Sequence, residues 1–172
     1  MRTLVTGGVR SGKSVHAESL LADRAVTYIA PGLVRDDADW AVRIAAHQAR
    51  RPATWTTLET ADLSAALDGD GPVLIDCLGT WLARFLDDAH LWDATSDEAT
   101  GAIEVELDRI VAALGRDPLR DIVLVTNEVG LGVVPEHRSG RLFRDLIGLT
   151  NQRIAAACDE VHLVVAGRVL RL

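Results

Sequence analysis

The 172-residue chain contains only two cysteines, Cys77 and Cys158. They stand far apart and without metal-ligand spacing, so neither a disulfide framework nor a zinc site is expected. Positive charge is also scarce. Eighteen lysines and arginines against twenty-five acidic residues leave a net charge of −7 and a pI near 5.1. That balance disfavours a broad electrostatic grip on nucleic acid but is compatible with a small anion held in a local pocket. No apolar run approaches the length of a membrane span. Gly7 and Lys13 interrupt the N-terminus before an apolar signal segment develops, so the expected location is the cytoplasm. Repeats, low-complexity tracts and linkers are missing as well. With 48% hydrophobic residues, the chain reads as a single domain spanning 1–172.

What is present begins at once. Residues 7–14 read GGVRSGKS, which fits G-x-x-x-x-G-K-[ST]. In that pattern successive backbone N–H groups wrap a phosphate chain, and glycine permits a close approach that a Cβ would forbid. Lys13 carries charge to the outer phosphates, and the Ser14 hydroxyl suits Mg²⁺. Leu4 and Val5 end an apolar strand before the loop, and residues 14–22 continue at helical spacing after it. The helix N-terminus then faces the anion.

Apolar runs at 3–6, 26–30, 73–76, 122–126 and 161–166 alternate with helical patterns at 97–114 and 142–158. The central runs are continuously apolar, as in strands buried on both faces. The expectation is a P-loop α/β domain with a mostly parallel central sheet and helices on both faces. Residues 168–172 can add an antiparallel edge strand after Gly167. Ser96 is the expected N-cap of the 97–114 helix. Residues 87–96 form the longest expected loop, with Leu91 and Trp92 packing on the body or on a neighbouring subunit.

A carboxylate at the end of a buried strand commonly holds Mg²⁺ opposite a P-loop, and Asp76 in PVLIDCLGTW occupies that place. Its alternative role is to cap the helix starting near Leu78. Asn127 and Glu128 end a second buried strand at the edge where open α/β sheets place ligands. In RIAAHQARRPATW, Arg43, His47 and Arg50 or Arg51 fall on one helical face before Pro52. They suit a polyphosphate, but spacing alone favours a solvated basic face with one incidental histidine. His16, His90, His137 and His162 show no pairing in the sequence.

Taken together, GGVRSGKS, RIAAHQARRPATW followed by Glu59, LIDCLGTWL, and the long block from VTNEVG through NQRIAAACDEVHLVVAG resemble the bifunctional adenosylcobinamide kinase/adenosylcobinamide-phosphate guanylyltransferases of cobalamin biosynthesis. The resemblance covers nearly the whole chain, in the same order. It implies a RecA-like fold and a homotrimer. The implied substrates are ATP or GTP and adenosylcobinamide, and then GTP and adenosylcobinamide phosphate, with Mg²⁺. It further implies a guanylyl-histidine intermediate on His47. Lys13 would serve both transfers, and Ser14 and Asp76 would hold the metal. The nucleotide-binding residues it implies are Gly7, Gly8, Val9, Arg10, Ser11, Gly12, Lys13, Ser14, Pro31, Gly32, Leu33, Gln48, Ala49, Arg50, Arg51, Glu59 and Thr80. Residues 35–40 (RDDADW) depart from the family's usual acidic stretch before the histidine. The readings that compete with this one are a P-loop kinase for another small hydroxylated substrate and a nucleotide-driven switch, neither of which has a use for a nucleophilic His47.

Overall fold

The computed structural model describes residues 1–32, 45 and 51–172. Strand β1 (Arg2–Gly7) leads into helix α1 (Lys13–Ser19), followed by β2 (Thr27–Ala30), β3 (Thr56–Glu59) and the short α2 (Leu63–Ala66). Strand β4 (Val73–Asp76), helices α3 (Leu78–Asp88) and α4 (Ser96–Leu114), β5 (Ile122–Val125), α5 (Arg138–Ala156), β6 (Glu160–Val165) and β7 (Arg168–Arg171) complete the chain. The strands form one seven-stranded sheet in the order β3-β2-β4-β5-β1-β6-β7. All neighbours are parallel except β6 and β7. The turn joining that last pair passes through Ala166 (φ 48°) and Gly167 (φ 75°). Two successive positive φ values are what a tight two-residue hairpin requires.

Strand alternation divides the core in two. Val5, Leu74 and Val125 face α1 and pack with Ala17, Leu21 and Tyr28. Their neighbours Leu4, Ile75 and Leu124 face the opposite layer, where Trp81, Leu82, Ile103, Leu107 and Leu146 arrive from α3, α4 and α5. The central strands are apolar at consecutive positions because both faces are covered.

Several boundaries differ from the sequence expectations. Thr95, not Ser96, caps α4: its hydroxyl accepts from Glu98 N–H, while the Glu98 carboxylate accepts from Thr95 N–H at 2.8 Å. This reciprocal capping box satisfies two otherwise unpaired donors. Helix α1 stops at Ser19, and β3 has no counterpart among the expected strands. Leu91 and Trp92 pack against the core. Trp92 stacks on Phe143, and its indole N–H donates to Asp87 at 2.5 Å, so this pair packs on the body of its own chain. Among the described residues, no helix is long and apolar enough to cross a membrane.

Candidate active site

Parallel strands bring the C-terminal ends of β1 to β6 to one edge of the sheet, and the GGVRSGKS loop rises from its middle. Close packing beneath the loop explains its first glycine. A Cβ on Gly7 would lie 2.5 Å from the Val164 carbonyl oxygen and 2.7 Å from Ser11 Oγ. Gly167 N–H donates to the Ser11 carbonyl at 2.8 Å, so the β6–β7 turn supports the loop from below. Gly12 has φ 97° and is the N-cap of α1, a conformation that favours glycine. Lys13 Nζ donates to the Gly8 carbonyl at 3.1 Å, which folds the ammonium back over the loop. Val9 is exposed, and Arg10 adopts φ 56°.

Asp76 ends β4 and is paired in register with Val125, which is also in register with Val5. It therefore stands on the α1 face, the side from which Ser14 begins its helix. Burial, then the negative charge of the nearby Asp76 carboxylate, raise the Tyr28 phenol well above its ordinary value. The capping alternative for Asp76 is excluded. Cys77 caps α3, with the Thr80 hydroxyl donating to the Cys77 carbonyl at 2.9 Å. Burial, then the Asp76 charge, push the Cys77 thiol upward, and both cysteines are free.

Pro31 and Gly32 follow β2 at the same edge. A Cβ on Gly32 would sit 3.0 Å from Thr80 Cβ, so the second loop lies directly on the start of α3. Arg51 places its guanidinium 3.5 Å from the centre of the Tyr28 ring, and its Nη1 donates to Thr57 at 2.9 Å. Glu59 ends β3 and is exposed. The structure thus gathers Gly7 to Ser14, Pro31, Gly32, Glu59, Asp76 and Thr80 on the strand-end side, while Arg51 precedes β3 and reaches Tyr28 and Thr57 partway along their strands. Arg43, His47, Gln48, Ala49, Arg50 and Leu33 lie outside the described residues.

Two features escaped the sequence. His16 and His162, read as unpaired, are hydrogen-bonded: His16 Nε2 and His162 Nδ1 are 2.9 Å apart. His162 Nε2 lies 2.9 Å from Glu160 Oε2. The carboxylate can only accept, so His162 donates to it and takes the His16 N–H on its other nitrogen. The chain ties α1 to β6 through a fully buried imidazole. Burial, His162 and Arg171 lower the His16 pKa, in that order. The second feature is Asn151 on α5. It accepts from the Thr126 hydroxyl at 2.6 Å and donates to the Asn127 carbonyl at 3.1 Å. Only the pairing of α5 with the end of β5 in space reveals it.

A glycine-rich loop between a central parallel strand and a helix, with a carboxylate ending β4 on the far side of β5, defines a P-loop NTPase fold. A solved ATPase from the type III secretion system of pathogenic bacteria superposes with a TM-score of 0.58 at 9% identity, over 94% of this chain and 50% of that one. That likeness concerns the fold alone. The sequence comparisons are more specific. The family model "Cobinamide kinase / cobinamide phosphate guanyltransferase" matches residues 3–172, and the chain belongs to that family of enzymes. The bifunctional adenosylcobalamin biosynthesis protein CobU of Salmonella typhimurium is 45% identical over 97% of both chains. CobU of Escherichia coli is 43% identical, again over 97% of each. CobP of Pseudomonas aeruginosa is 41% identical over 97% of this chain and 94% of its own.

Proposed function

We propose that this chain phosphorylates adenosylcobinamide with ATP or GTP and then transfers GMP from GTP to the product. In the first reaction the aminopropanol hydroxyl attacks the γ-phosphorus, the nucleoside diphosphate leaves, and the hydroxyl proton is released. In the second, a neutral His47 imidazole attacks the α-phosphorus of GTP and pyrophosphate leaves. The phosphate of adenosylcobinamide phosphate then attacks the same phosphorus, the N–P bond breaks, and adenosyl-GDP-cobinamide is formed. Splitting one displacement into two is what a covalent nucleophile achieves.

The observation that carries this reading is the Gly7–Ser14 loop, with Lys13 folded over it, in a chain that matches the family from residue 3 to its end. The hard oxygen donors Ser14 and Asp76 approach from the α1 face. They fit a Mg²⁺ that keeps water and phosphate oxygens as its remaining ligands. When bound, the ion would neutralise charge on the phosphates. Arg51 and the neighbouring Arg50 supply cations for the triphosphate, and Glu59 suits the N1–H and N2–H₂ donors of guanine.

We further propose a homotrimer acting in the cytoplasm. Leu131, Val133 and Leu172, which are 85%, 95% and 77% exposed, supply apolar surface for such contacts. Light scattering at low micromolar concentration should then report about three times the monomer mass; a fully active monomer would overturn it. The chemical test is intact mass after incubation with GTP and Mg²⁺. Wild type should gain one guanylate, labile in acid and stable in alkali, and His47→Ala should gain none while still phosphorylating cobinamide. A guanylate retained by the variant would assign the nucleophile elsewhere.

A further inference from the structure

The hydrogen-bond ladder between β5 and β1 continues past the last residue of β5. Thr126 N–H donates to the Val5 carbonyl at 2.9 Å and Glu128 N–H to the Gly7 carbonyl at 3.1 Å. Asn127 is therefore held beside Gly7, where the phosphate loop starts. Because β5 lies between β1 and β4, Asn127 also stands between that loop and Asp76. Alternation puts Asn127 on the face of Val125, which is the face α1 covers. Thr126 takes the other face, toward Asn151.

Three elements fix the residue. Asn151 holds its backbone carbonyl and the preceding hydroxyl from α5. The Cys77 thiol donates to its Oδ1 at 3.5 Å. Gly79 of α3 leaves room for the amide, because a Cβ there would meet the same oxygen at 2.8 Å. These contacts use the acceptor side of the amide. Among the described residues, Asn127 Nδ2 donates no hydrogen bond, and the residue is half-buried.

We propose that Asn127 is a phosphate-contacting residue whose Nδ2 donates to the terminal phosphate of the bound nucleotide, with Asn151 as the residue that positions it. This rests on the reading that the loop holds a nucleoside triphosphate. A neutral donor suits the place. A lysine there would pair with Asp76, and a carboxylate would repel the phosphate. The amide supplies a fixed N–H without either conflict. Because the donor is already oriented, it needs no reorganisation as charge shifts on the transferring phosphoryl group.

The test compares binding of a non-hydrolysable triphosphate with binding of the diphosphate, alongside kcat and KM for cobinamide phosphorylation. Asn127→Ala removes the donor, and Asn127→Asp keeps the shape and the oxygen facing Cys77. Both should lose roughly tenfold in preference for the triphosphate, the size of one hydrogen bond to a charged group. For Asn127→Ala, diphosphate affinity should stay unchanged and kcat should fall on the order of 100-fold. A triphosphate preference within about twofold of wild type in both variants would overturn the proposal. Asn151→Ala should lower kcat in wild type and have little further effect in the Asn127→Ala background. An equal effect in both backgrounds would reduce Asn151 to a support of the sheet. The binding ratio needs no acceptor substrate. If wild type proves unable to phosphorylate cobinamide, the substrate reading fails while the ratio still decides Asn127.

Discussion

The two edges of the sheet solve the same problem differently. Every strand end leaves backbone and side-chain polar groups to be satisfied. At the N-terminal edge they are consumed. The Met1 ammonium donates to the Arg120 carbonyl at 2.9 Å and pairs with Asp121 at 2.8 Å, while Arg24 reaches Asp121 from the other side. Arg2 pairs with Asp159, and Arg120 donates to the carbonyls of Gly71 and Leu67 at 2.6 Å each. At the C-terminal edge the groups are positioned yet left available: the folded-back Lys13 ammonium, the loop N–H groups and the Asn127 amide. Charges neutralised by neighbours hold a fold together, whereas donors held by neighbours and left open can bind a substrate.

Breaking the open edge should therefore cost function, and breaking the closed edge should cost stability. The largest effect is expected from Lys13→Ala. One loop serves both reactions, so phosphorylation and guanylylation should fall together, by about 3 kcal/mol of transition-state stabilisation or roughly 100-fold. The melting temperature should hardly move, because Lys13 closes no core contact. Near-normal phosphorylation by this variant would refute a single shared site.

The counterpart is Arg120→Met. Arg120 is only 8% exposed, and its removal leaves the buried Leu67 carbonyl and the partly buried Gly71 carbonyl without their donor. A loss of about 2 kcal/mol is expected, seen as a fall of roughly 4–8 °C in Tm for a chain of this size. The nucleotide KM and kcat of the folded enzyme should stay at wild-type values. A kinetic defect with no change in melting would contradict the division between the edges.

How far this arrangement was legible in the sequence depended on range. The loop is local, eight consecutive residues between a strand and a helix, and it was read in place. The run 73–76 announced a central strand because both faces of β4 are buried. Strand β3 has all four residues exposed and pairs only with β2, so it carried no periodic signal. The His16–His162 contact spans 146 positions and exists only because β6 lies beside β1. Asn151 is likewise silent until α5 is laid against the end of β5. Asp76 had two readings, and only the cap at Cys77 removed one of them.

A smaller effect within the open edge is expected from Gly79→Ala. The added Cβ would stand 2.8 Å from Asn127 Oδ1, so the amide must shift. Displacing a phosphate donor by a fraction of its bond length should lower phosphorylation kcat about tenfold, with inner-phosphate binding retained. Unchanged kcat would show that the amide does not need its present position.

The smallest expected effect belongs to the closed edge and is visible only in acid. Hydrogen bonds from Arg2, first through its guanidinium and then through its backbone N–H, lower the Asp159 pKa from 3.8 to about 2. A carboxyl depressed in the folded state binds fewer protons there than in the unfolded chain. Its contribution to stability is therefore complete above the ordinary carboxylate value and is lost as pH falls through about 2. Asp159→Asn should remove that part of the pH dependence and leave the rest, since Asp121 remains depressed by the N-terminal ammonium and Arg24. Asp159 is 38% exposed, so solvent screening keeps the difference at neutral pH small. Melting temperatures across the acid range should show a shallower decline for the variant, with both transfer activities unchanged at neutral pH. A parallel decline in the two proteins would mean that the Arg2 pair does not hold this edge closed in solution.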